Sequence, residues 1–199
     1  TGADLIVMLK SNPPKKVVNC LKIFYDKVIE VDFWIPKADI FTKNMDIDFM
    51  KSYIVIEIFK LTKYDKVLML FPTIMPLKHF DHIFSLNTPA TTIHNSRRQI
   101  LTQQEINSSV NLFETWYKRW CKCCNHSQKI PKKYSVINKD HPMGFTGTFL
   151  LVKPNLETYN ELYNELMDTN YDGLKYPFAY TQYLTDKFSG NWTSIDPRF

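Results

Sequence analysis

The sequence predicts an α/β domain with a mostly parallel central sheet, and three observations support this fold class. Short apolar runs, such as LIVML at residues 5–9, have the length of buried strands. Segments with apolar side chains at helical spacing alternate with these runs, as they do when helices connect parallel strands. The chain has 199 residues and 44% hydrophobic content, which is enough to bury one sizeable core.

Residues 1–71 contain three predicted strands and two predicted helices. The strands cover residues 5–9, 27–31 and 67–71. The first helix begins after Pro13-Pro14, because proline is favoured at helix N-termini, and the second covers residues 48–60. The apolar faces of these two helices contain Val17, Val18, Leu21 and Phe24 in the first and Phe49, Tyr53, Ile56 and Phe59 in the second. Strands joined by helices predict parallel pairing through right-handed crossovers.

The third strand is expected to lie at the centre of the sheet. Residues 66–70 should be parallel to their neighbours and share a sheet with residues 149–152. Because parallel sheets are covered on both faces, Val67 and Met69 should alternate with Leu68 and Leu70 between two apolar layers.

From about residue 88 to residue 142 the pattern changes, and we interpret this segment as an insertion within a single domain spanning residues 1–199. Residues 103–121 predict an amphipathic helix, and a basic, loop-like stretch follows it. The α/β pattern then resumes with a strand at 148–152, a helix from the N-cap Asn155 to about Met167, and a last helix at about 178–188. We expect the insertion to be a separately packed helical element.

Charge and composition exclude several classes of partner. The net charge is +5 and the basic residues are scattered, so nucleic-acid binding is not expected. The longest apolar runs are too short to span a membrane. Three of the four cysteines are crowded together, which is not the pattern of a secreted disulfide framework. We therefore expect a reducing compartment such as the cytoplasm.

Five segments occur in an order that resembles the glycogenin-like sugar transferases of glycosyltransferase family 8. They are FYDKVIEVD (24–32), KLTKYDKVLML (60–70), FDHIF (80–84), LLVKPNLETYNELYNEL (150–166) and NWTSID (191–196). The resemblance covers most of the chain outside residues 88–142, and the match around residues 60–84 needs no gap. It implies a Rossmann-like GT-A nucleotide-sugar transferase fold, in agreement with the α/β pattern.

The resemblance also implies a metal site that this sequence lacks. Family members carry an Asp-x-Asp motif at the end of the central strand, where two carboxylates hold a divalent metal against the donor diphosphate. The gap-free match places Phe71 and Thr73 at these two positions. Phenylalanine cannot bind a metal, and threonine is a weak neutral ligand.

Three further donor-site positions implied by the resemblance have also changed. An asparagine-containing turn before the strand at 148–152 corresponds to Thr146 and Gly147. An Asp-Gln pair at the start of the last helix corresponds to Tyr180 and Thr181, or to Thr181 and Gln182 if the match shifts by one residue. A family lysine corresponds to Val55. Two other family elements, a first strand and a late histidine-containing motif, would lie before Thr1 and after Phe199.

These losses favour a catalytically degenerate glycosyltransferase-like protein that needs no cofactor and acts as a structural or protein-binding component. The partner surface predicted on the insertion is the aromatic group Trp116, Tyr117 and Trp120, since aromatic residues are enriched at interface cores. These side chains could equally pack the helix onto its own domain. One alternative is an active nucleotide-sugar transferase with nonstandard site residues. A second is a small zinc-binding or nucleic-acid-binding module.

Two clusters contain residues that bind metals, and we interpret neither as a metal site. The first is Cys121, Cys123, Cys124 and His126. Its ligand types suit Zn²⁺, but the spacing is tighter than in structural zinc sites, so reduced, partly packed thiols are expected. The second is His79, Asp81 and His82, which we interpret as part of a short helix with Phe80, Ile83 and Phe84 facing the core.

A viral source is one further expectation. The bias toward Lys, Asn, Ile and Tyr is typical of AT-rich genomes, and proteins resembling this family also occur in large DNA viruses. The second setting that we consider, beside the cytoplasm, is therefore a virus particle.

Overall fold

A computed structural model describes residues 2–37, 51–71, 74, 79, 81–93, 126–132, 145–168 and 179–195. Within these ranges the protein has a mixed α/β fold with two small sheets. The first sheet has two strands, β1 (Ile6–Lys10) and β2 (Lys27–Val31). The second has four strands, β3 (Val67–Leu70), β4 (Ala90–Ile93), β5 (Phe145–Val152) and β6 (Thr193–Ser194), in the order β3-β5-β4-β6.

The first sheet confirms one predicted strand–helix–strand unit. Helix α1 (Lys15–Phe24) begins directly after Pro14 and connects β1 to β2, which pair in parallel from Ile6 opposite Lys27 to Lys10 opposite Val31. The predicted core face of α1 is more open than expected, because Phe24 is 73% exposed and no side chain of the helix is buried.

The second predicted helix is a 3₁₀ helix, η1 (Ser52–Lys60). A 3₁₀ helix has three residues per turn, so side chains three apart lie on one face. Tyr53, Ile56 and Phe59 have this spacing and are buried, which confirms their predicted core role. Phe49 lies outside the described residues.

The predicted parallel pairing of β3 is wrong. β3 and β5 share a sheet, as expected, but Val67 lies opposite Val152 and Leu70 opposite Phe149, so the two strands are antiparallel. Among the described strands, β3 pairs only with β5 and is an edge of its sheet. The sheet is therefore not mostly parallel: β4 pairs antiparallel with β5 and parallel with β6. A strand that is covered on both faces is apolar whether its neighbours are parallel or antiparallel. The sequence pattern therefore could not reveal the direction of pairing.

The predicted alternation along β3 is confirmed. Val67 and Met69 pack against one apolar cluster, which includes η1, whereas Leu68 and Leu70 pack against a second cluster on the opposite face. The second cluster includes Ile83 of the 3₁₀ helix η2 (Asp81–Ser85), which is fully buried and supports the predicted helix with a core-facing side.

Two helices cover the first cluster, close to their predicted positions. Helix α2 (Leu156–Met167) begins after Asn155, whose side-chain oxygen accepts hydrogen bonds from the backbone N–H groups of Glu157 at 2.7 Å and Thr158 at 3.3 Å. This confirms the predicted N-cap. Helix α3 (Ala179–Lys187) packs against β5 and η1.

Both described parts of the interval 88–142 are joined to this core. β4 lies inside the four-stranded sheet, and the backbone N–H of Ile130 donates to the carbonyl of Trp192 at 2.7 Å. The Ile130 side chain is fully buried in the first cluster. The separate packing of the insertion stays a prediction for residues 94–125 and 133–142.

A buried carboxylate connects three elements of the core. Glu57 of η1 is 5% exposed and accepts hydrogen bonds from Trp34 Nε1 and the Tyr159 hydroxyl, both at 2.9 Å. Lys60 forms an ion pair with the same carboxylate at 2.6 Å, and its ammonium lies 4.3 Å from the centre of the Tyr159 ring. The network attaches the segment after β2 to η1 and α2.

Replacing Glu57 with leucine should therefore destabilise the protein by about 2 kcal/mol, because three donors would lose their acceptor. Urea unfolding followed by circular dichroism would measure this loss. Trp34→Phe is the matched control, since it removes one donor and should cost about 1 kcal/mol. A Glu57→Leu variant as stable as the parent protein would contradict the network.

Candidate functional site

The candidate site lies at the C-terminal end of β3, where two aromatic rings meet. Phe71 directly follows β3, and Tyr180 is in the first turn of α3. Their ring centroids are 5.9 Å apart and their planes differ by 4°, so the rings are parallel and offset. The resemblance described above implies an acidic side chain at Phe71, and at Tyr180 under one of its two matches.

The stacked rings of Phe71 and Tyr180 carry no charge. Tyr180 is only 6% exposed, and burial raises the pKa of its phenol, so the hydroxyl stays neutral at physiological pH. Phe71 has no ionisable group. The pair therefore offers neither a metal ligand nor a charge for a phosphate.

A third implied position belongs to the same apolar layer. Val55 on η1 is 5% exposed and lies in the first core cluster together with Tyr180, and Phe71 packs against that cluster. Val55, Phe71 and Tyr180 come from three different elements. They contribute to the core at positions where the resemblance implies a lysine and carboxylates.

The antiparallel pairing of β3 with β5 places Thr146 and Gly147, the positions matched to the asparagine-containing turn, beyond the C-terminal end of β3. Leu70 lies opposite Phe149, so the earlier residues of β5 extend beyond the C-terminal end of β3. Thr146 and Gly147 belong to this part of β5. Thr146 and Gly147 therefore lie at the same end of the sheet as Phe71. They do so because β5 is antiparallel to β3, whereas the prediction had the two strands parallel.

The last helix provides no carboxylate at the site under either match. Thr181 is half-buried, and its carbonyl accepts a hydrogen bond from the Thr185 hydroxyl at 2.6 Å. Gln182 is fully buried within the protein. Thr73 lies outside the described residues.

The structure brings together one member of each of the two metal-binding candidates. The rings of His82 on η2 and His126 have centroids 5.8 Å apart, with their planes tilted by 58°. His79 and Asp81 are exposed. Cys121, Cys123 and Cys124 lie outside the described residues, as do the partner candidates Trp116, Tyr117 and Trp120. Across the described ranges, no cluster of three or more His, Cys, Asp or Glu residues is placed to hold a metal ion.

Two polar clusters were missed by sequence reasoning. One is the Glu57 network. The other is exposed: Lys27 donates to Asp4 Oδ2 at 2.5 Å and contacts the Tyr64 hydroxyl, which itself donates to Asp4 at 2.6 Å. The hydrogen bonds from Lys27 and Tyr64 lower the pKa of Asp4, and the hydrogen bonds that Lys27 makes to Asp4 and Tyr64 raise the pKa of Lys27. Apart from Lys60, which lies three residues after Glu57, the partners in both clusters are far apart along the chain, so no local signal in the sequence marks either cluster.

Comparison with known proteins identifies a viral relative. The chain is 22% identical over 195 residues to "Uncharacterized protein R707" of Acanthamoeba polyphaga mimivirus. The alignment covers 98% of this chain and 59% of the relative, so the chain spans somewhat more than half of that protein's length. No family model matches the chain. In the part of the chain that the structure describes, every helix is too short or too polar to cross a membrane.

Proposed function

We propose that this protein is a catalytically degenerate glycosyltransferase-like protein that serves as a structural or protein-binding component. The observation that carries the proposal is the stacked pair of Phe71 and Tyr180. The resemblance implies a carboxylate at the position of Phe71, and at the position of Tyr180 unless the match shifts by one residue. Here they pack against each other and against the core instead of facing a ligand.

The physical argument concerns the charge of the donor. A nucleotide-sugar donor carries a diphosphate, and its leaving group must be stabilised by a metal or a cationic clamp for the sugar–phosphate bond to break. Val55, Phe71 and Tyr180 cannot supply either one. Placing the diphosphate against this apolar surface would cost desolvation energy that no opposite charge offsets.

We also propose that the mixed α/β fold is of the Rossmann-like GT-A type. The parallel β1–α1–β2 unit supports this, because such units form nucleotide-binding halves in doubly wound folds. The gathering of Phe71, Thr146, Gly147 and Tyr180 at one end of the structure supports it too, since those positions come from the match to the family. The mimivirus relative supports a viral setting for the protein.

The partner in this proposal is another protein, bound through residues 88–142. Trp116, Tyr117 and Trp120 are the proposed anchors, because large aromatic side chains supply much of the binding energy at interface cores. Since residues 88–93 and 126–132 are joined to the core, the proposed surface lies on the stretch between them.

Titration calorimetry with several nucleoside-diphosphate sugars, with and without Mn²⁺, tests the loss of donor binding. We expect no saturable heat at millimolar donor, because the diphosphate finds no charged partner. An active sugar transferase titrated with the same donors is the positive control.

The matched variant is Phe71→Ala, which removes one ring of the stack without adding charge. It should also bind no donor, since lack of charge and not lack of space is the proposed cause. Metal-dependent micromolar binding by the parent protein, or donor hydrolysis, would restore the hypothesis of an active transferase.

A further inference from the structure

We propose that His82 and His126 form a two-imidazole site for a first-row transition-metal ion, with Zn²⁺ the best-suited ion. The starting observation is that these side chains, 44 positions apart in the sequence, place their ring centroids 5.8 Å apart with a tilt of 58°. Imidazole nitrogen is a ligand that suits zinc, copper and nickel.

The spacing of the rings matches coordination to a shared ion. With Zn–N bonds of about 2.1 Å and each ring centre roughly 1 Å further out, two imidazoles on one ion have centroids about 5–6 Å apart. The observed 5.8 Å falls within this range. The tilt is also compatible, because two rings bound to one ion have no need to be coplanar.

The backbone that carries His82 is held in place before any metal binds. Next to it on η2, the Ile83 side chain is fully buried, and the Ser85 hydroxyl donates to the His82 carbonyl at 2.6 Å. The Lys66 ammonium donates to the carbonyls of Phe84 at 2.8 Å and Leu86 at 2.7 Å. These contacts fix the backbone of the short helix and leave His82 exposed.

The backbone that carries His126 is held by β6. The N–H of Ser127 donates to the Ser194 carbonyl, and the N–H of Ser194 donates to the Gln128 carbonyl, both at 2.9 Å. Ser127 has φ 65°, in the left-handed region, which turns the chain directly after His126. Because both histidines sit on anchored backbone, the ordering cost of binding a metal falls mainly on their side chains.

Exposure of the site matches an ion that enters from solvent. His82 is exposed and His126 is half-buried, so water can fill the remaining coordination positions. Asp81, the residue before His82 in the sequence, is an exposed carboxylate in the first turn of η2. Two protein ligands supply fewer bonds than the four of a structural zinc site, so micromolar rather than nanomolar affinity is expected. The site links η2 to the segment 126–132, which hydrogen-bonds to β6, and it does not include the Phe71–Tyr180 stack.

Calorimetric titration of the reduced, chelator-treated full chain with ZnCl₂ tests the site. We expect one Zn²⁺ per chain with micromolar affinity, and a Zn²⁺-dependent rise in the melting temperature, since a ligand that binds only the folded state stabilises it. His82→Ala and His126→Ala should each weaken binding at least tenfold and abolish that rise. Circular dichroism of each variant would verify that it is folded, and His82→Asn provides a second variant of similar polarity.

His79→Ala is the matched control, because His79 is also exposed and lies three positions before His82. It should leave the affinity unchanged. The proposal is overturned if the parent protein shows no saturable binding at Zn²⁺ concentrations of about 10⁻⁴ M. It is likewise overturned if His79→Ala weakens Zn²⁺ binding as much as His82→Ala does. It is also overturned if Cys123→Ser with Cys124→Ser abolishes binding while His82→Ala retains it, since the ion would then belong to the cysteines.

Discussion

Replacing Trp192 with alanine should destabilise the protein by about 4 kcal/mol, the largest effect that we expect from any single substitution considered. Trp192 is 1% exposed and belongs to the first core cluster. Its ring lies edge-on to Phe188 with centroids 5.6 Å apart, and its Nε1 donates to the Thr185 carbonyl at 3.1 Å. The substitution removes the ring, leaves a cavity, and takes away the partner of a buried carbonyl.

Urea unfolding and thermal melting would measure this effect. A loss of this size corresponds to a melting temperature lower by roughly 10 °C for a chain of this length. Because such a variant could fail to fold, Trp192→Phe is a milder companion that keeps an aromatic ring and removes only the N–H donor and part of the volume.

Ile23→Ala is the matched control, since Ile23 is 76% exposed. Its effect should stay within about 0.5 kcal/mol. If Trp192→Ala and Ile23→Ala had similar effects, the described position of Trp192 in the core would be wrong.

The local elements of the fold were predictable because their signals are local. The N-cap Asn155 lies next to the helix that it begins, and Pro14 immediately precedes α1. The three-residue spacing of Tyr53, Ile56 and Phe59 identifies a buried helical face within a single short segment. Each of these features depends on neighbours within one or two turns of chain.

Strand direction was not predictable, because it depends on the path between strands. The connection from β4 to β5 spans residues 94–144, and a connection of that length can return the chain in either direction. β4 itself was included in the predicted insertion, since its sequence ATTI is short and only partly apolar. Its place as a strand depends on β5 and β6, which are distant in sequence.

In the candidate site, too, some features could be predicted from the sequence and others could not. The resemblance to the family implied which positions lack an expected charge, and this prediction needed only the residues themselves. That Phe71 and Tyr180 stack could not be predicted, because the two residues are 109 positions apart and meet only after β3 and α3 have packed. The proximity of His82 and His126 likewise depends on how η2 and β6 are held.

The substitution Phe71→Asp, which restores one of the implied carboxylates, should destabilise the protein by roughly 3 kcal/mol. The new carboxylate would lose hydration beside the core cluster and would lie against the ring of Tyr180, whose π face is electron-rich and repels an anion. Phe71→Leu is the matched control, because it removes the ring stacking but keeps an apolar side chain, and it should cost about 1 kcal/mol.

Adding Thr73→Asp to Phe71→Asp completes the Asp-x-Asp motif, yet we expect no turnover of a nucleotide-sugar donor with Mn²⁺. A metal held by these two residues would still lack the other charges of the donor site, since Val55 and Tyr180 remain apolar and the asparagine position holds Thr146. Donor hydrolysis measured by release of the nucleoside diphosphate would decide this. Activity in the doubly substituted protein would show that the stacked rings conceal an otherwise intact site. Separately, if the Phe71→Asp variant were as stable as the Phe71→Leu variant, the end of β3 would still tolerate a charged side chain. Because stability and turnover are measured separately, a folded but inactive double variant supports the loss of the whole site, whereas an unfolded one supports the role of the stack in the core.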